Sequence, residues 1–285
     1  MIISVASGKG GTGKTTVATS LALALAPDVD VTFLDCDVEE PNAHLFLNPA
    51  LTGEQPVTTF VPEINEERCS LCRKCADICR FSALAAAGKK LLVFPELCHG
   101  CEGCLEVCPE NAISAGSRSL GVIESGRIGK MHFHSGRLRI GEAMAPPLIR
   151  QVRKWENQSE ITIIDAPPGT SCPVISAMKN SDFVLMVTEP TPFGLHDLRL
   201  AVEAVGMLGI DAGLVVNRAD IGDDRVRRYA EDKKIPILLQ IPFDREIAQS
   251  YSQGRTIVER YPDWADKFKG LYRDIMRIVM HKEHG

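Results

Sequence analysis

Short apolar runs recur along this chain, and each breaks off into glycine, proline, aspartate or asparagine. The runs over 2–5, 30–34, 161–164, 183–187, 213–216 and 236–240 are rich in Ile, Leu and Val, which predicts buried strands. Between them lie stretches with helical spacing, 16–26 and about 141–156 among them. Strand alternating with helix from 161 onward, together with an N-terminal strand–helix–strand unit, predicts an α/β fold with a doubly wound, mostly parallel sheet. The glycine-spaced stretch 121–139 reads as a hairpin. Near the C-terminus Trp264, Phe268, Leu271, Ile275 and Ile278 form one helical stripe opposed by Lys267, Lys269, Arg273 and Arg277. A helix packed on its own domain and an amphipathic helix touching a membrane both give that stripe, and the packed helix is the expectation.

Composition narrows the picture. With 285 residues and a 45% hydrophobic fraction the chain suits one large α/β domain carrying a small insertion. A net charge of −5 makes no overall electrostatic case for nucleic acid. The first residues read directly into a strand with no charged leader segment, so no signal peptide is expected. Ten cysteines then point to a reducing, cytoplasmic setting.

Candidate chemistry begins where the first strand ends. Gly8-Lys9-Gly10-Gly11-Thr12-Gly13-Lys14-Thr15 satisfies G-x-x-x-x-G-K-S/T, with a strand before it and Thr16 opening a helix after it. Such glycines let backbone N–H groups close around phosphate oxygens at a helix N-terminus, where the helix dipole favours anions. Lys14 is placed to reach the β- and γ-phosphates and Thr15 to ligate Mg²⁺, so ATP and Mg²⁺ are the expected ligands.

Lys9 makes the motif more specific. K-G-G-x-G-K-T-T resembles the deviant Walker A box of the MinD/ParA family, which includes the nitrogenase iron protein, arsenite-pump ATPases and Mrp-type iron–sulfur carriers. The resemblance implies that Lys9 acts in trans across an ATP-dependent homodimer; a solvated lysine beside an ordinary P-loop is the plainer reading. Asp35-Cys36-Asp37 looks like the family's switch I, which implies that Asp37 orients or deprotonates the attacking water and Asp35 organises the magnesium shell. Read alone, these are two turn aspartates at a strand end. Asp165-Ala166-Pro167-Pro168-Gly169 resembles switch II, with Asp165 holding magnesium through water and the Gly169 N–H sensing the γ-phosphate. By the same resemblance Asn217, Pro242 and Asp244 contact adenine.

The run C-x2-C-x2-C-x3-C occurs twice, at Cys69, Cys72, Cys75, Cys79 and at Cys98, Cys101, Cys104, Cys108. This is the spacing of bacterial two-cluster ferredoxins, in which the last cysteine of each run serves the other cluster. Cys69, Cys72, Cys75 and Cys108 would hold one [4Fe–4S] cluster, and Cys98, Cys101, Cys104 and Cys79 the second. Four-thiolate zinc sites are the other chemistry open to these residues, but zinc ribbons space their C-x2-C pairs by about a dozen residues or more. Arg80 rather than proline follows Cys79, which leaves the ligand count unchanged.

The expected organisation is therefore a P-loop ATPase domain in two parts, 1–61 and 117–285, interrupted over 62–116 by a small α+β domain of the bacterial ferredoxin type. The function this implies is an ATPase that couples nucleotide state to electron transfer, with an unknown protein as redox or cluster acceptor. An iron–sulfur carrier is the alternative, as is a positioning ATPase with structural or redox-sensing clusters. Outside the two runs there is no C-x-x-C pair of the kind Mrp-type scaffolds use. Cys172 matches the place of a cluster ligand in the nitrogenase iron protein, but a buried small apolar residue is the expectation there. His132 and His134 alternate on a strand and are expected to be surface polar residues.

Overall fold

The computed structural model describes residues 1–283. A strand–helix–strand unit opens the chain, with β1 (Ile2–Ala6), α1 (Lys14–Leu25) and β2 (Val31–Asp35), after which α2 (His44–Leu47) leads into β3 (Ala50–Ile64). The cysteine-bearing segment follows, with α3 (Lys74–Ile78), β4 (Leu84–Ala87), β5 (Lys90–Val93) and α4 (Gly103–Glu106). The chain returns through β6 (Ile113–Ile128), β7 (Met131–Leu138) and α5 (Ala145–Val152). Strand and helix then alternate through β8 (Ile161–Asp165), α6 (Cys172–Met178), β9 (Phe183–Thr188), α7 (Pro192–Leu208), β10 (Asp211–Asn217), α8 (Arg225–Asp232) and β11 (Ile237–Ile241). Three helices, α9 (Arg245–Ser252), α10 (Ile257–Arg260) and α11 (Trp264–Glu283), complete the described residues.

The main sheet has nine strands in the order β11-β10-β9-β1-β8-β2-β7-β6-β3. From β11 to β7 every neighbouring pair is parallel, while β6 and β3 add an antiparallel edge. β1, β2 and β8 are buried at every position because helices cover both faces, so their sequences are apolar runs rather than alternations. On one face α5 and α7 contribute Leu148, Ile149, Val152 and Leu198. On the other, α1 and α11 contribute Val17, Leu21, Phe268, Leu271 and Ile275.

The C-terminal stripe is thus covered by its own domain, as expected. Lys269 on its opposite side pairs with Asp28 at 2.6 Å. Among the described residues no helix is long and apolar enough to cross a membrane.

Two features differ from the sequence-based reading. First, no strand was predicted over 50–64, yet β3 pairs with β6 from Ala50 opposite Arg127 to Ile64 opposite Ile113. Its first seven positions are exposed and carry no hydrophobic alternation, so the strand takes its order from its partner. The cysteines lie beyond the end of this ribbon, over 65–112, with small apolar clusters of their own around Val61, Ala83 and Leu84. Second, His134 is buried at 5% exposure. Its Nδ1 lies 2.8 Å from Ser125 Oγ and its Nε2 3.1 Å from Gln158 Oε1, and its ring stacks on Trp155 at 4.6 Å. The β6–β7 hairpin itself forms as predicted. Its second strand continues the parallel sheet beside β2, which encloses His134.

Candidate functional site

Parallel register brings the C-terminal ends of β1, β2 and β8 together: Val5 and Asp35 both stand opposite Asp165. Such an edge is where ligands bind in open α/β sheets. The glycine loop runs from the end of β1 into α1 and is shaped by close approaches. Gly13 has φ 91°, and a Cβ there would come within 2.4 Å of the Asn217 amide nitrogen. A Cβ on Gly8 would come within 2.2 Å of the Asp197 carbonyl oxygen. Gly10 and Gly11 face open space, and the buried Thr12 Oγ1 has no hydrogen-bond partner. An open glycine turn at a helix N-terminus with an unused buried hydroxyl suits a phosphate chain.

Lys14 lies among carboxylates. Its Nζ donates to Asp165 Oδ1 at 2.7 Å and sits 3.7 Å from Asp37 Oδ2. Burial pulls its pKa down, but the attraction of Asp165 and then Asp37 outweighs burial and leaves it raised. Thr15 Oγ1 donates to Asp165 Oδ2 at 2.6 Å. Two of the three residues assigned to magnesium, Thr15 and Asp165, are therefore in contact, and Mg²⁺ ordinarily needs only one or two carboxylates beside phosphate and water. Among the described residues no three Asp, Glu, His or Cys side chains converge on one ion position. Asp35 is fully buried and braces the loop after β2: its oxygens accept the Asp37 N–H at 3.2 Å and the Ala43 N–H at 3.1 Å. Burial, then the Asp165 carboxylate, push its carboxyl well above the usual range.

Other assigned residues hold different partners in this conformation. The Gly169 N–H donates to the Ser7 carbonyl at 2.9 Å, a bond it must leave to reach a phosphate. Lys9 is 32% exposed and lies 3.8 Å from Glu189. Asn217 Nδ2 donates to the Thr12 carbonyl at 2.8 Å. Beside it a cleft is lined by Thr16, Asn217, Pro242, Asp244 and also by Phe243 and Tyr251. The two aromatics were not read as site residues; isolated aromatics outside a motif carry no signal of their own.

Burial raises Asp37 to about 6, an effect opposed by Lys14 and reinforced by Asp165, Glu40 and Glu39. The folded protein therefore holds this proton above the ordinary aspartate value of 3.8. Its contribution to stability is full below that value and is lost as the pH rises through about 6. Without nucleotide, Asp37→Asn is expected to be more stable than wild type near neutrality, and the gap should shrink at about pH 4.5. Denaturant titrations at the two pH values check this, and an equal gap at both would refute it.

The cysteines gather crosswise. Cys69, Cys72, Cys75 and Cys108 line one cavity; Cys79, Cys98, Cys101 and Cys104 line another. Positive φ values recur at a 29-residue offset, at Leu71 and Gly100, Arg73 and Glu102, Ser82 and Asn111. The same offset relates two N–H···S contacts of 3.3 Å, Ala83 to Cys79 and Ala112 to Cys108. Left-handed turns of this kind aim successive N–H groups into a concavity that suits an anionic group. Cys172, by contrast, is exposed at the start of α6 rather than buried, because the loop after Asp165 carries it to the surface. Cys36 is buried, and burial drives its thiol upward, which keeps it inert.

Over residues 3–257 the chain matches the CobQ/CobB/MinD/ParA nucleotide binding domain. It is 32% identical over 267 residues to an uncharacterized protein of Methanocaldococcus jannaschii, a match covering 91% of this chain and 92% of the relative. It is 26% identical over 299 residues to the iron-sulfur cluster carrier protein of Aquifex aeolicus, covering 99% of this chain and 68% of that protein. A solved structure of the septum site-determining protein MinD from Pyrococcus horikoshii, complexed with Mg-ADP, superposes with a TM-score of 0.62 at 20% identity, covering 98% and 96% of the two chains. At that identity the likeness shows the fold, a MinD-like P-loop α/β sheet. With the glycine loop, both aspartate-ended strands and a sequence match running from β1 to the start of α10, the chain belongs to the CobQ/CobB/MinD/ParA nucleotide-binding family of P-loop ATPases.

Proposed function

We propose that this chain is a Mg²⁺-dependent ATPase that dimerises on ATP and couples its nucleotide state to electron transfer through two [4Fe–4S] clusters held over 62–116. The observation that carries the reading is the crosswise lining of the two cavities, four cysteines each, drawn from runs that are separate in sequence. Four thiolates that bind four different irons surround a cube instead of meeting at a point. Bound clusters would supply one-electron chemistry at potentials set by hydrogen bonds to sulfur, net charge and exposure. Within the chain, Asp37 orients and deprotonates water, Lys14 and Thr15 serve the phosphates and Mg²⁺, Asn217, Pro242 and Asp244 hold adenine, and Lys9 serves the partner's nucleotide.

A second reading, delivery of a cluster to an acceptor protein, is favoured by the name of the Aquifex aeolicus relative. It is opposed by the absence of a C-x-x-C pair outside the two runs. Anaerobic purification tests both. About eight iron and eight sulfide per chain are expected, retained when an apo-acceptor is added and giving EPR signals on reduction that change with ATP. Stoichiometric zinc in such a sample would refute the cluster reading; iron lost to the acceptor would select the carrier.

A further inference from the structure

Arg118 on β6 and Glu142 between β7 and α5 form an ion pair with side chains 9% and 1% exposed. One guanidinium nitrogen of Arg118 donates to Glu142 Oε2, and the other lies 3.3 Å from Glu142 Oε1 and 3.4 Å from the Cys98 carbonyl oxygen. Cys98 lines the second cysteine cavity. Two residues earlier, Glu96 lies 3.7 Å from Arg118 and 2.9 Å from Arg139. Arg118 on β6 and Arg139 just past the end of β7 thus hold the 96–98 stretch.

The other end of the pair reaches switch I. Glu142 Oε1 accepts the Met144 N–H at 2.9 Å, at the start of α5. The Leu138 N–H donates to the Val38 carbonyl at 2.9 Å, one residue past Asp37. At Gly136 an added Cβ would come within 2.7 Å of methyls of both Val38 and Val152, so β7, α5 and Val38 pack as one body. Packed interiors pass on displacement because they deform little. The first cysteine run is held differently: the Cys69 N–H donates to the Asn65 carbonyl at 3.1 Å, the Asn65 N–H to the Ala112 carbonyl at 2.8 Å, and Lys90 pairs with Glu66 at 3.1 Å. Those hydrogen-bond and ion-pair partners lie within 65–112 itself, and the main sheet meets this run through apolar packing, with Phe60, Ile64 and Ile113 against the cluster that contains Cys75.

We infer that Arg118 and Glu142 are a positioning pair that links the 37–42 loop to the 94–104 stretch, so that nucleotide state is felt at the site of Cys79, Cys98, Cys101 and Cys104 and not at that of Cys69, Cys72, Cys75 and Cys108. Arg118 Nε is buried and has no hydrogen-bond partner. This inference rests on the nucleotide-switch reading above for what moves 37–42.

Hydrogen exchange of the anaerobically purified full chain tests it, with Asp37→Ala holding ATP and compared with the ADP state. Exchange over 94–104 is expected to differ by about five-fold or more between the two states, with 65–78 unchanged. The double variant Arg118→Met/Glu142→Leu removes both charges without leaving either alone; it should lose the 94–104 response and keep that of 37–42. Equal responses in both cysteine runs, silence at 94–104 while 37–42 responds, or an undiminished response in the double variant would overturn the pair's role. Silence at 37–42 itself would sink the nucleotide-switch reading together with this one. Iron and sulfide content of the same samples judges the cluster reading separately, and the comparison of the two runs does not depend on the variant folding.

Discussion

Asp37→Ala is expected to slow ATP hydrolysis by about 10²–10⁴-fold while ATP stays bound, the usual loss when a positioned general base is removed. The carboxylate stands at the end of β2 beside the phosphate loop, 3.7 Å from Lys14 Nζ, and is raised to about 6. A base in that range is ionised near neutrality yet still holds a proton well enough to accept one from water. Single-turnover phosphate release with nucleotide retention measures both halves of the claim. Asp37→Asn separates orientation from deprotonation, because the amide can still position water and cannot take its proton. Hydrolysis by the alanine variant within about three-fold of wild type would remove Asp37 from the mechanism.

Lys14→Ala should cost the protein both nucleotide affinity and stability. Asp165 is completely buried, and its charge is balanced by Lys14 at 2.7 Å. Removing one partner of a buried pair ordinarily costs about 3–5 kcal/mol. Adding Asp165→Asn should restore much of the stability without restoring nucleotide binding, which separates the two effects. Lys9→Ala offers the contrast. That side chain is 32% exposed and 3.8 Å from Glu189, so its loss should change stability by less than about 1 kcal/mol. Nucleotide binding by one protomer should persist while ATP-dependent dimerisation fails. Denaturation curves, nucleotide titration and sedimentation distinguish the variants; equal loss of affinity in both would end the assignment of Lys9 to the partner's site.

Much of the nucleotide site was legible before any coordinates because it is encoded locally. The glycine loop, its lysine and its threonine occupy one turn between a strand and a helix, so the whole pattern is contained in one short stretch of sequence. The buried parallel strands were legible for a related reason, since helices on both faces demand continuous apolar runs. Asp165 was found at the end of an apolar run, and Asp35 by its resemblance to the family's switch I segment. Their roles were less legible: Asp35 spends its oxygens on the backbone of residues 37 and 43, and the Gly169 N–H on Ser7. Those bonds depend on loop conformation, which no residue pattern states.

By itself the sequence determined the fold class, through the order of its apolar runs, and the glycine loop, the two cysteine runs and the apolar stripe of the last helix, through spacing within single elements. The tertiary structure alone decided the rest. It set Asp35 opposite Asp165 through strand register and extended an exposed polar stretch into β3 by pairing it with β6. It also enclosed His134 behind Trp155 and joined Arg118 to Glu142 beneath Cys98. Each of these joins residues distant in the chain, where the outcome is set by which strands pair and how helices pack over them, and burial then makes the resulting polar contacts obligatory.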